Sequence, residues 1–184
     1  MRKLIVWNLV SLDGYFEGGK GWDLDFHNLV WGEELERYAI QQCQEAGLLL
    51  FGRVTYEGMA AYWRGEKGVI ADFMNAVPKA VASRSLEAVD WNNTTLLDGD
   101  VGDAVARLKQ QAGKDIFIFG SADLMASLEQ RHLIDEYRLC LVPVMLGGGN
   151  LLFRPGGGRR PMTLLDSRVL QSGGIILRYA PVAA

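Results

Sequence analysis

A run of four apolar residues, Ile116-Phe117-Ile118-Phe119, stops at Gly120-Ser121 and passes straight into a helical pattern with Leu124, Met125 and Leu128 on one side. A buried strand that enters a helix through a glycine gathers the helix's unpaired N–H groups, and the positive end of its dipole, at one spot. Such a spot suits a phosphate. The same pattern also describes an ordinary strand-to-helix turn, in which Ser121 caps the helix and Asp123 supplies the negative charge. A second apolar run, Tyr137 to Leu146, follows and is closed by Gly147-Gly148-Gly149.

The junction recurs upstream. Leu48 to Phe51 breaks at Gly52 and enters Arg53-Val54-Thr55-Tyr56-Glu57, where Thr55 offers a cap and Arg53 a planar fork suited to phosphate. Lys79 to Ala82 ends in Ser83-Arg84-Ser85. Ligands of open α/β sheets bind across the carboxyl ends of strands, so three such ends reinforce one another. Leu4 to Leu12 lacks clean alternation, as a strand buried on both faces does, and is expected at the centre. It is ended by Ser11-Leu12-Asp13-Gly14. Tyr15 to Asn28, with Gly18, Gly19, Gly21, Trp22 and Phe26, is a candidate cover over a site.

Helices are predicted over Glu33 to Ala46, stopped by Gly47, over Val69 to Asn75, and over Val101 to Ala112, ended by Gly113. Asn92 to Leu97 reads as a short strand, and Thr163 to Leu170 with Ile175 to Tyr179 as a closing antiparallel hairpin. Strands alternating with helices and then mostly strands imply a mixed sheet with helices on its faces.

The chain's 184 residues fit one core, a single domain over residues 1–184. A net charge of −3 gives no reason to expect nucleic acid as a partner. Cys43 and Cys140 sit in apolar periodic segments, as reduced core thiols of a cytoplasmic protein do. The basic start and apolar run at the N-terminus lack a cleavage site, and no run reaches the roughly 18 apolar residues of a membrane span. Gly14, Gly19 and Lys20 match the spacing of a phosphate loop, but Gly21 stands where Ser or Thr would hold magnesium. His27 and His132 have no partner at a metal-binding or catalytic spacing. Asp13 has two readings of equal weight: a turn residue before Gly14, or a group that orients a substrate or relays a proton.

Taken in order, Ser11 to Gly14, Gly52 to Glu57, Ser83-Arg84, Phe119-Gly120-Ser121, Leu133 to Glu136 and Pro143 to Gly149 resemble the dihydrofolate reductase superfamily. The likeness is strongest to the reductase domain of bifunctional riboflavin-biosynthesis proteins and its stand-alone relatives. It implies an α/β, dihydrofolate-reductase-like three-layer fold with a mostly parallel central sheet, and NADPH as hydride donor to a small heterocyclic or carbonyl substrate. By position, Arg53 and Ser83-Arg84 match contacts to the adenosine 2′-phosphate. Gly52, Thr55, Gly120 and Ser121 match the pyrophosphate cradle, and Asp13 the Asp-Gly beside nicotinamide and substrate. Gly120-Ser121 departs from the Gly-Gly pair of dihydrofolate reductases. Glu33, Glu34 and Glu36 lie near their pterin-binding acid yet also suit a helix N-terminus, so a riboflavin-type substrate ranks above folate. The rival from another class is a non-catalytic NADPH- or nucleotide-binding protein. The terminal hairpin's exposed edge and the apolar content favour a homodimer.

Overall fold

The computed structural model describes residues 1–156 and 158–182. Alternation along the central strands splits the core into two layers. Ile5 and Trp7 of β1 (Leu4–Ser11) share one side with Leu49 and Phe51 of β3 (Ala46–Gly52) and Phe117 of β6 (Asp115–Phe119). Leu4, Val6 and Val10 share the other with Leu48, Leu50, Ile116 and Ile118. The first side is covered by α1 (Glu33–Glu45), α2 (Arg53–Trp63) and α3 (Val69–Ala76), through Leu35, Tyr38, Tyr56, Ala60 and Met74. The second is covered by α4 (Val101–Gln110) and α5 (Ala122–Gln130), through Val105, Leu124, Met125 and Leu128. The result is helix, sheet, helix.

With β4 (Lys79–Ala82), β5 (Thr94–Leu96), β7 (Glu136–Val142), β9 (Met162–Val169) and β10 (Ile175–Pro181), the sheet runs β5-β4-β3-β6-β1-β7-β10-β9. Every pairing is parallel except those of β10, which runs against both β7 and β9. The expected mostly parallel sheet with a terminal antiparallel hairpin is therefore present. Leu4, Ile5 and Val6 are fully buried, as a strand between two parallel neighbours requires.

Three local expectations differ. Gly47 does not stop α1: the chain enters β3 already at Ala46, and Gly47 lies within that strand against Lys114. The apolar run to Leu146 leaves the sheet at Val142, because Pro143 has no N–H for the ladder. The glycine-rich cover is tied down by β2 (Tyr15–Glu17), paired with β8 (Asn150–Leu151), and by a 3-10 turn over Asp25–Leu29.

At the amino ends of the strands sits a buried ionic cluster. Glu136 Oε1 accepts from Arg138 Nε and Arg178 Nε, both at 2.7 Å, and Arg138 reaches on to Glu45 at 2.7 Å. Removing the one carboxylate that serves two guanidiniums leaves the buried Arg138 with Glu45 alone and the half-buried Arg178 without its carboxylate. Glu136→Gln is expected to cost about 3 kcal/mol, seen as a lower urea midpoint with an unchanged slope.

Candidate functional site

The carboxyl ends of β1, β3, β4 and β6 open into one cleft of about 1120 Å³. Its floor is a set of side chain to backbone bonds that ties three strand ends together. Asn8 of β1 accepts the Gly120 N–H at 2.7 Å, Thr55 Oγ1 accepts the Ser121 N–H at 3.0 Å, and Ser121 Oγ accepts the Gly52 N–H at 3.0 Å. Gly120 and Ser121 both hold left-handed conformations, with φ of 55° and 52°. A Cβ on Gly120 would meet Thr55 Oγ1 at 3.1 Å, so the site demands glycine there for contact as well as for conformation.

This geometry corrects two expectations. Neither Ser121 nor Thr55 caps its helix; each hydroxyl binds across to the other junction instead. The N–H groups of Gly52, Gly120 and Ser121 are thereby used within the protein, and the donors left for an anion are those of the first turns of α2 and α5. Asp123, in that first turn of α5, pairs with Arg154 at 2.7 Å.

One wing of the cleft is polar. Arg53 lies at its edge, half-exposed, and pairs with Glu57 at 3.0 Å. Ser83 Oγ accepts the N–H groups of Ser85 and Leu86 at 3.1 and 2.9 Å, which shapes the turn that presents Arg84. Arg84 is exposed and enters none of the ion pairs among the described residues. Arg131 also lines this wing, held by Asp100 and Asp103.

The other wing is an aromatic chamber between β1, α1, α2 and α3. Trp7, Trp63 and Phe73 form its walls, and Trp22, His27 and Trp31 its roof. The Trp22 ring lies so close over Gly58 of α2 that a Cβ there would stand 1.7 Å from it; the glycine admits the indole. Burial pushes the His27 imidazole down to about 4 and the Cys43 thiol up to about 11, so both are neutral at pH 7. Gln42 also lines the chamber, and its Nε2 has no hydrogen-bond partner.

Asp13 is placed differently. It does not line the cleft; its carboxylate accepts from Ser11 Oγ at 2.6 Å, Gly147 N–H at 2.7 Å and Leu146 N–H at 3.1 Å. The Ser11 hydroxyl, followed by those two N–H groups, holds its carboxyl below the usual range. Of the three glutamates near the first helix, Glu33 pairs with Arg37, Glu34 accepts the Gln171 N–H, and none lines the cleft. Sequence reasoning passed over Asn8, Gln42 and Arg154. Asn8 carried a signal, since a polar residue inside a strand buried on both faces needs a partner. Among the described residues no group of His, Cys, Asp and Glu could hold a metal ion, and no helix is long and apolar enough to cross a membrane.

Comparison with known proteins agrees with this fold. The family of the RibD C-terminal domain matches residues 2–176. The uncharacterized protein YyaP of Bacillus subtilis (strain 168) is 26% identical, covering 97% of this chain and 94% of that protein. A Shewanella sp. PV-4 structure assigned to riboflavin biosynthesis superposes with a TM-score of 0.80 at 21% identity, over 98% of this chain and 99% of that one. The diaminohydroxyphosphoribosylaminopyrimidine deaminase/5-amino-6-(5-phosphoribosylamino)uracil reductase of Thermotoga maritima gives 0.69 at 12% identity, over 98% of this chain and 57% of that one. Dihydrofolate reductase of Enterococcus faecalis gives 0.65 at 11% identity, over 98% and 97%.

Two outcomes follow from the titratable groups. Asp13 is depressed in the folded state, so its anchoring of the Leu146–Gly147 loop is complete above about pH 4 and is lost as pH falls further. Asp13→Asn, which offers one acceptor oxygen in place of two, is expected to lower the melting temperature at pH 7; an unchanged melting curve would show that the three bonds contribute nothing. His27 is also depressed, from 6.5 to about 4, so between those values the unfolded chain takes up a proton that the folded one refuses. Stability therefore falls as pH is lowered through that window, and the difference between wild type and His27→Phe in urea melts should show the slope.

Proposed function

The chain belongs to the RibD C-terminal domain family, and on that footing we propose that it is an NADPH-dependent reductase of the riboflavin-pathway type, acting on a small heterocyclic or carbonyl substrate. The observation that carries this reading is the two-part cleft: a wing with arginines and two helix N-termini, continuous with an uncharged aromatic chamber. A volume of about 1120 Å³ exceeds the range of about 300 to 1,000 Å³ usual for one small ligand, and leaves room for a dinucleotide and a ring beside it.

The residues present suit the cofactor. The open first turns of α2 and α5 answer a pyrophosphate, and Arg84, with Arg53 released from Glu57, answers a 2′-phosphate. Bound there, NADPH supplies a hydride, and with one solvent proton the two electrons saturate a C=O or C=N bond. The chain's own part is to orient and to exclude water, which Trp22, seated on Gly58, does at the roof. Asp13 is left out of the chemistry on the strength of its three internal bonds. A dihydrofolate reductase proper is disfavoured, because no carboxylate of Glu33, Glu34 or Glu36 reaches the chamber. The edge strand β9, exposed along its length with Leu164, Leu165 and Val169 uncovered, supports a homodimer through that edge.

NADPH is expected to bind at least about tenfold more tightly than NADH, since a charge-assisted bond contributes about 1.5 to 3 kcal/mol. Arg84→Ala should remove most of that preference and Arg53→Ala part of it, read from cofactor fluorescence titrations. Equal affinity of the wild type for both cofactors would remove the 2′-phosphate assignment.

A further inference from the structure

β9 closes the sheet at one edge, with no strand beyond it, and every residue of Met162–Val169 is exposed. Its pairing with β10 is regular over residues 166–169, because the register shift lies between Arg178 and Tyr179, past Asp166. The turn that follows fixes which way the backbone groups point. Leu170 N–H donates to Gly174 O at 2.8 Å and Leu170 O accepts the Gly173 N–H at 2.9 Å, so both groups of Leu170 face β10. That direction alternates along a strand. Arg168 therefore also faces β10, while Ser167 and Val169 turn their N–H and C=O groups outward. Four residues of edge with outward groups and neither proline nor bulge are open to another strand.

Two side chains decide which strand. Asp166 and Arg168 lie on one face of β9, and neither enters an ion pair among the described residues. Arg178, opposite Asp166 in register, is taken by Glu136. When such an edge pairs antiparallel with its own copy, outward residues must meet outward residues, so the two-fold axis passes through a residue and not between two. An axis through Asp166 sets aspartate against aspartate, and one through Arg168 sets arginine against arginine. Like charges directly opposite destabilise a ladder. An axis through Ser167 sets Asp166 against Arg168 of the partner subunit on both sides of the axis. It also sets Leu165 against Val169 of the partner subunit, and both of these side chains are exposed in the single chain.

We propose that β9 is a docking edge for a second copy of this chain, paired antiparallel about Ser167, with Asp166 and Arg168 as the residues that set the register. The proposal rests on the homodimer reading of the same edge. The contact is isologous, so it closes at two copies and joins the two eight-stranded sheets into one.

Sedimentation equilibrium of the purified chain measures the dimer constant. A monomer at micromolar concentration would sink the homodimer and this inference together. Asp166→Arg and Arg168→Asp each put like charges opposite one another twice, and each is expected to weaken the dimer at least about tenfold, about 1.4 kcal/mol. Both positions are exposed, so circular dichroism and NADPH affinity should hold. The double variant D166R/R168D exchanges the two charges and should return the constant close to that of the wild type. Ser167→Cys should cross-link under mild oxidation, because an axis through residue 167 brings its two copies to about 5.5 Å between Cα atoms, within disulfide reach. Arg168→Cys should not. A dimer that ignores the single reversals, is not rescued by the double variant, or cross-links through residue 168 and not 167 overturns this register and leaves a homodimer of another geometry standing.

Discussion

The site depends on one local conflict and its resolution at the Gly120-Ser121 step. Two successive left-handed residues are needed to turn β6 into α5 at this point, and for a non-glycine residue that conformation costs about 1 to 2 kcal/mol. Ser121 meets that cost with two bonds of its own, its N–H to Thr55 Oγ1 and its Oγ from Gly52 N–H, each contributing about 1 kcal/mol. Asn8 then secures the Gly120 N–H from β1. Three strand ends that are far apart in sequence are thus locked at hydrogen-bond distance. Serine is tolerated at this left-handed position because its side chain becomes part of the lock.

Much of this was legible in the chain. The strand ends at Gly52, Ser83 and Gly120 read correctly as ends facing one cleft, because apolar runs of four to eight residues closed by glycine or serine have few other uses in an α/β protein. Periodicity also located α1, α4 and α5, since each buries one stripe against the sheet. The direction of individual hydroxyls was not legible. Ser121 and Thr55 satisfy the residue preference for caps, and whether a hydroxyl turns to its own helix or to a junction 66 residues away depends on tertiary distance alone. Asp13 shows the same limit: Asp-Gly signals a turn, but its true partners, Leu146 and Gly147, lie more than 130 residues on.

The chamber was hidden for a different reason. Trp7, His27, Trp63 and Phe73 come from four separate segments, and aromatics at helical spacing read as core. What distinguishes a wall from a core is an unfilled volume, which no local pattern encodes. Gly58 was the available hint. A glycine inside a helix costs about 1 kcal/mol relative to alanine, and here the reason is the Trp22 ring pressed against it from the loop. The glycine of one element and the tryptophan of another form a single contact, so the cover is seated by shape rather than by charge.

Charge is partitioned along the strands in a way that follows from solvation. At the amino ends, Glu136 and Arg138 are buried at the base of the sheet and are neutralised together with the half-buried Arg178 and Glu45. At the carboxyl ends, Arg53 and Arg131 are held in place by carboxylates on the cleft's edge, while Arg84 is presented to solvent on a turn shaped by Ser83. Between these two charged regions lies the aromatic part of the cleft. His27, whose imidazole burial pushes down to about 4, lines it as a neutral group at pH 7.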